Sequence, residues 1–415
     1  MGSRKISRRT FLKSVGTVAA GVGLSGFPAV LRGAGNEILI GAVHPLTGLV
    51  AEAGQMSVWG LELAVEHVNK GGGIKSMGGA KLKLLVEDSE SKNETGAIAA
   101  EKLIREGVVC LVGAFQSGVT MAISKVSDRH KMPLVVDVAT ADEITGQGFQ
   151  YTFRVFPKIS NLVKTGIQGI VEVTEKAGRP IKTAVVVHIS EFTAKASFDT
   201  FYPMCEKLGV PWKILKKITY PEQTMSVASE VSEAKALKPE ALFINCRMRD
   251  AIMLVQEMYK QKFDVDGIFG VVGSGLADPS FLKQGKLSEY VFNACPWHDE
   301  VNPFALKVAK EYEARFKKPY NMNGSHSYDT ILVIANALER AGSVDKDALR
   351  KALAATKLEN KTSIGGPIEF DEKGDNIGAG SAIVQILQER SKCVFPHQFA
   401  LAKAVYPVPK WEKRG

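Results

Sequence analysis

The chain has 415 residues, 45% of them hydrophobic and 23% charged, with a formal net charge of +9. That composition fits a globular protein of about two domains and excludes disordered, collagen-like and multi-spanning membrane chains. The basic excess sits mostly at the start: the 53 Lys and Arg less six in residues 1–35 leave 47 against 44 acidic residues, or +3 for the remainder. No basic stripe stands out there, so no nucleic-acid partner is expected.

In chain order, Ser7-Arg8-Arg9-Thr10-Phe11-Leu12-Lys13 matches a twin-arginine export pattern. The Gly/Ala-rich run from Ser14 to Leu31 follows it, with four glycines and a proline. A membrane anchor needs about 20 strongly apolar residues, so residues 1–35 read as a signal peptide cleaved near Ala34 or Gly35. The expected destination is the periplasm, reached in the folded state. The first cysteine is Cys110, which argues against a lipid anchor. Cys110, Cys205, Cys246, Cys295 and Cys393 show no CxxC or metal spacing. They are expected to be buried thiols, with one disulfide among the later ones left open.

Strands are predicted at Glu37–Val43, Leu82–Glu87, Val108–Val112 and Pro133–Val138. The helices between them are predicted at Met56–Asn69, Glu94–Arg105 and from about Thr120 to His130. The alternation then restarts with strand Tyr151–Phe156, helix Leu162–Lys176, strand Thr183–His188, helix Ala194–Leu208 and strand Trp212–Ile218. Helix Val227–Ala236, strand Ala241–Asn245, helix Asp250–Gln261 and strands Gly267–Val272 and Tyr290–Ala294 complete it. Apolar strands spaced by helices predict parallel sheets covered on both faces, an α/β fold of two doubly wound lobes. Helices Pro303–Phe316, Ser325–Ala341 and Lys346–Ala354 precede a strand at Ala382–Gln388. Late helices of this kind can complete the first lobe, which makes the chain cross between lobes more than once through a multi-strand hinge. The predicted lobes are residues 36–156 with 297–364, and 157–296 with 365–415.

No GxGxxG opens the first β-α unit, no GxxxxGK[ST], HExxH or GxSxG occurs, and the seven histidines are scattered. No cofactor or metal is expected, and His188 is the only histidine placed near a cleft. The turn Gly113–Thr120 is more informative. A strand ends in glycine, and Gln116-Ser117-Gly118-Val119-Thr120 opens a helix whose free N–H groups, with the Ser117 and Thr120 hydroxyls, suit a carboxylate. Ser117 as a plain helix cap is the alternative. Val138-Ala139-Thr140-Ala141-Asp142 ends the next strand, and open α/β sheets bind ligands at such strand ends.

The chain resembles the branched-chain amino-acid (Leu/Ile/Val) family of ABC-transporter substrate-binding proteins, with the type I periplasmic-binding-protein fold. The marks are Ile40-Gly41-Ala42-Val43-His44-Pro45-Leu46-Thr47-Gly48, Val68-Asn69-Lys70-Gly71-Gly72-Gly73-Ile74, Glu87-Asp88-Ser89, the Gly113–Thr120 turn, Ser327-Tyr328-Asp329 and Phe370-Asp371-Glu372-Lys373-Gly374-Asp375. The resemblance implies that Ser117, Gly118 and Val119, with Ala139 and Thr140, grip a ligand carboxylate. It implies that Phe192, Arg247, Val272 and Gly273 close down from the second lobe. Family amino-acid binders commonly carry an acid near Val272 for the ligand ammonium, and Val271-Val272-Gly273-Ser274 offers none. Burying an unpaired ammonium is costly. Glu191 or Asp142 is then the candidate substitute, whereas Arg247 and Arg249 suit a second acidic group. The cysteines of a first-lobe disulfide found in some relatives are missing as well.

The expected function is therefore that of a non-enzymatic, monomeric solute-binding protein of an ABC importer, handing a small carboxylate to an inner-membrane permease. The ligand is either a branched-chain or related amino acid, or an amine-free organic or aromatic acid. The rival readings are an exported oxidoreductase and a soluble ligand sensor of the same fold.

Overall fold

The computed structural model describes residues 37–414 apart from 49, 273, 274 and 278; the predicted leader lies outside these residues. The first half runs β1 Glu37–His44, α1 Ala51–Lys70, β2 Lys81–Asp88, α2 Asn93–Arg105, β3 Cys110–Gly113, α3 Ser117–Arg129, β4 Leu134–Val136, α4 Glu143–Gly146 and β5 Thr152–Arg154. Its five strands are all parallel, in the order β2-β1-β3-β4-β5. Strands β3, β4 and β5 are wholly buried, as parallel strands covered on both faces must be.

The second half runs α5 Ile159–Lys176, β6 Thr183–Ile189, α6 Phe192–Leu208, β7 Lys213–Tyr220, α7 Ala228–Ala236, β8 Ala241–Asn245, α8 Met248–Lys260, β9 Gly267–Val271, α9 Pro279–Leu282 and β10 Phe292–Cys295. The chain then adds α10 Pro303–Phe316, α11 Met322–Ala341, α12 Lys346–Ala354, the short pair β11 Lys357–Leu358 and β12 Ile368–Glu369, and finally β13 Ala382–Ile386 and β14 Ser391–Phe395. The second sheet reads β7-β6-β8-β9-β10-β13-β14, with its last two strands antiparallel to their neighbours. Its first five strands repeat the order of the first sheet. Each sheet therefore has a topological switch point, between β1 and β3 and between β6 and β8, where a crevice opens at the strand ends.

Helices α10 to α12 pack against the first sheet. Tyr312, Ile331, Ile334, Leu338 and Leu353 share one core with Ile38, Ile40 and Val112. Helices α1 and α11 touch backbone to backbone at Gly60, where a Cβ would lie 2.3 Å from the Gly324 carbonyl oxygen. Ile368 and Phe370 also pack in this first core, while Ala382 begins the second sheet. The chain thus passes between the two cores after Arg154, after Cys295 and before Ala382. The crossing segments pair with each other through the bridges Arg154 to Asp375 and His298 to Ser363.

The sequence reading stops at Gln388, whereas the chain makes a further strand, β14. Gln388 and Glu389 both take the left-handed conformation, φ 60° and 59°. Together they form the two-residue turn that joins β13 to β14, with the Leu387 N–H donating to the Arg390 carbonyl at 2.9 Å. All five cysteines are buried and free.

Candidate functional site

A cavity of about 480 Å³ lies between the carboxyl ends of the two sheets. The first half contributes Phe115 to Gly118 and Val138 to Thr140; the second contributes Ile189, Glu191, Thr193, Asn245 to Arg247 and Val272. Cys295 and Pro296, on a crossing segment, complete the wall with Met322 at the start of α11.

The first pole follows from how β3 hands over to α3. The chain leaves Gly113, passes Phe115 in the left-handed region (φ 66°) and enters α3 with Gln116 at the N-cap. No side chain caps this helix, so Ser117 is its first residue rather than its cap, and the leading N–H groups stay available at the positive end of the dipole. The Ser117 Oγ accepts the Ala141 N–H at 3.2 Å. A hydroxyl has one hydrogen to give, and with an acceptor site used in this way, that hydrogen remains for a ligand. Gly118 is pressed by Asn93, whose Oδ1 would stand 2.9 Å from an added Cβ. Ala139 and Thr140 form the adjoining wall, and the Thr140 carbonyl accepts the Ile159 N–H at 2.8 Å.

Two expected groups do not reach the cavity. Thr120 is fully buried, and its hydroxyl donates to the Gln116 carbonyl at 3.0 Å while accepting the Ala114 N–H at 3.1 Å. Its polar capacity thus serves the turn. Val119 turns into the core beneath α3, where it packs with Ile123 and Leu134.

The second pole is the counterpart of the first. Helix α8 follows β8 as α3 follows β3, and it too begins without a side-chain cap, at Arg247. The Arg247 guanidinium stands 3.8 Å from Glu191 and 3.9 Å from Glu222, and its Nε is buried without a partner. Glu191 caps α6 by accepting the Ala194 N–H at 3.3 Å. Among the described residues it is the only acidic side chain lining the cavity. Phe192 is the first residue of α6, between Glu191 and Thr193, while Gly273 lies outside the described residues. Val272 lines the cavity with φ at +56°, a costly conformation for a β-branched residue. Asn245 braces it from β8, with Nδ2 donating to the Val271 carbonyl at 2.8 Å and the Val272 carbonyl at 3.4 Å.

Other expected partners lie elsewhere. Asp142 accepts the Ser160 N–H at 3.2 Å and does not line the cavity. Arg249 is exposed and donates to the Thr224 carbonyl. His188 is buried, with Nδ1 2.8 Å from the Ile189 carbonyl oxygen, and burial holds its imidazole below the usual value. Sequence reasoning missed Asn245, Cys246 and Cys295 as cavity residues. Their signal was position: each closes or directly follows an apolar strand, where ligand-facing residues collect. Burial pushes the thiols of Cys246 and Cys295 well above their usual range, so they present polarizable apolar surface rather than nucleophiles.

Among the described residues no group of three or more His, Cys, Asp or Glu is placed to hold a metal ion. No described helix is long and apolar enough to cross a membrane.

A family model described as periplasmic binding protein matches residues 37–391. The Leu/Ile/Val-binding protein homolog 8 of Brucella abortus is 26% identical over 398 residues, spanning 93% of this chain and 97% of the relative. The fold is shared with a branched-chain amino acid transporter substrate-binding protein of Streptococcus pneumoniae, solved with isoleucine (TM-score 0.73, 21% identity, 89% of this chain and 100% of that one). It is shared too with a solute-binding protein of an ABC transporter from R. palustris, solved with benzoate (TM-score 0.70, 22% identity, 89% and 97%).

Proposed function

The chain belongs to the periplasmic binding protein family, and from that premise we propose that it captures a small carboxylate with an apolar body by closing its two halves over the cavity. The observation that carries this reading is the convergence of two uncapped helix starts, α3 at Ser117 and α8 at Arg247, on one cavity. At α3 the free N–H groups, the positive end of the dipole and the Ser117 hydroxyl hydrogen meet the cavity. At α8 the Arg247 guanidinium supplies the positive charge, the Arg247 backbone N–H being taken by the Asp250 carboxylate. The carboxylate seats on Ser117, Gly118 and the Ala139–Thr140 loop, and the apolar body lies along Phe115, Phe156, Ile189 and Val272.

The crossing segments form the hinge, and we place the last crossing between Asn376 and Ala382 rather than at residue 364, since Ile368 packs with the first core. Ligand seated on the first half gains contacts with the second only on closure, so binding shifts the population toward the closed form. The closed form then engages a membrane permease outside the cytoplasm. Family members bind their substrates without making or breaking a bond.

One observation favours an amino acid as the second reading: Glu191 lines the cavity and can meet an ammonium, although Arg247 already leans on it at 3.8 Å. Calorimetry with 4-methyl-2-oxopentanoate, benzoate and leucine separates the readings. An amine-free acid binding more tightly than leucine supports the first, the reverse order supports the second, and no binding by any of the three refutes the site.

A further inference from the structure

Directly beneath the first pole lies a charged cluster that none of the binding contacts uses. Asp137 follows β4, His44 ends β1 and Ser327 sits on α11, and none of the three exposes any surface. The Asp137 Oδ1 accepts the Val138 N–H at 2.8 Å. Its Oδ2 accepts the Ser327 hydroxyl at 2.5 Å and stands 3.0 Å from the His44 Nε2. A carboxylate taken wholly out of water is costly unless it is paired and hydrogen-bonded, and an apolar side chain would fill this place more cheaply. What the carboxylate does and an apolar group cannot is hold a backbone N–H and two other segments in one fixed relation.

That relation bears on the cavity. The residues after Asp137 are Val138, Ala139 and Thr140, which form the cavity wall, and the next N–H, that of Ala141, donates to the Ser117 Oγ at 3.2 Å. The loop is therefore held by Asp137 at one end and by Ser117 at the other. Because the Ala141 N–H occupies one side of the Ser117 oxygen, the loop's position decides where the Ser117 hydrogen points. Ser327 makes the same link to α11, whose first residue, Met322, also lines the cavity.

We propose that Asp137, clamped by His44 and Ser327, is a positioning residue for the ligand site: it fixes the Val138–Ala141 loop and through it aims the Ser117 hydroxyl. This rests on the carboxylate reading of the first pole. Asp137 is held ionised in keeping with that role: burial alone would raise its carboxyl, but His44, Ser327 and the Val138 N–H outweigh it and hold it below the usual value.

The test uses the full chain without ligand. Amide hydrogen exchange in Val138–Ala141 is followed in Asp137→Asn, with Thr183–Ile189 as the internal control. The clamp requires exchange about tenfold faster in the loop, the effect of losing one hydrogen bond to a charged group, with no change in the control. Should Asp137→Asn fail to fold, Ser327→Ala carries the same expectation, and Ser327→Thr, which keeps the hydroxyl that Asp137 accepts, leaves exchange at the wild-type rate. Binding is then read with 4-methyl-2-oxopentanoate and benzoate, each against its uncharged amide. The preference for acid over amide falls in Asp137→Asn if the clamp aims Ser117. A lowered melting midpoint with loop exchange or acid preference unchanged would overturn the proposal. If wild-type protein takes neither acid, the ligand class falls, and the exchange measurement alone decides the clamp.

Discussion

Arg154 and Asp375, 221 positions apart, meet in a buried fork: the guanidinium Nε and Nη2 donate to the Asp375 Oδ1 at 2.9 and 2.6 Å. Lys158 Nζ takes the other oxygen at 2.9 Å, and the Thr145 hydroxyl also donates to Oδ1, at 2.8 Å. The pair ties the first crossing segment to the third. Removing one partner strands a buried charge, so Asp375→Ala is expected to lose about 3–5 kcal/mol of stability by denaturant unfolding.

The same pair makes an acid-sensitive contribution. Burial would raise the Asp375 carboxyl, but Arg154, Lys158 and Thr145 outweigh it and hold it below its ordinary value. The folded state then releases this proton more readily than the unfolded one, so stability rises with pH through this range. The contribution is complete above the unfolded value of about 4 and is lost as pH falls through the lower folded value. Denaturant midpoints measured from pH 6 to pH 2 should fall less steeply in Asp375→Ala than in wild type.

At the first pole, Ser117→Ala combined with Thr140→Ala removes two hydroxyls, the first of which also accepts the Ala141 N–H. Affinity for a carboxylate should weaken by about 1–3 kcal/mol in calorimetry. Unchanged affinity would place the carboxylate elsewhere.

Glu191 and Arg247 give opposite signs for the two ligand readings. Glu191→Gln removes a like charge from the cavity and should strengthen 4-methyl-2-oxopentanoate by about 0.5 kcal/mol while weakening leucine. Weakening of both by equal amounts would mean that Glu191 acts only through its cap on α6.

Gly60 tests packing alone. An added methyl would lie 2.3 Å from the Gly324 carbonyl oxygen, a backbone atom that cannot swing aside. Gly60→Ala should lower stability by about 1–3 kcal/mol, the usual cost of overpacking, through the separation of α1 from α11. Calorimetric melting reads this directly.

The two α/β series were legible because β3, β4 and β8 are unbroken apolar runs bounded by turn residues, a pattern that period and length decide together. The tail hairpin was not. Its turn places Gln388 and Glu389 at positive φ, where glycine or asparagine would have announced it. In the site, the Ser117 turn was visible as glycine followed by hydroxyls at a helix start. Which hydroxyl faces outward was not, since Thr120 spends its own on the backbone through contacts that only the folded turn creates. Nor does the segment Thr152-Phe153-Arg154 disclose that its arginine is buried, because the partner, Asp375, arrives from a distant loop.

The interleaving of the halves has a consequence for biosynthesis. The first sheet is complete in sequence at Arg154, yet its core waits for Ile331 and Ile334 of α11. The second core is finished by Trp411, whose indole N–H donates to the Phe263 carbonyl at 2.7 Å and whose ring is covered by Arg414, 3.8 Å from its centroid. The first core is complete in sequence only at Phe370, and the second only at Trp411. A nascent chain stalled short of Trp411 therefore leaves the apolar surface of the second core open to chaperones.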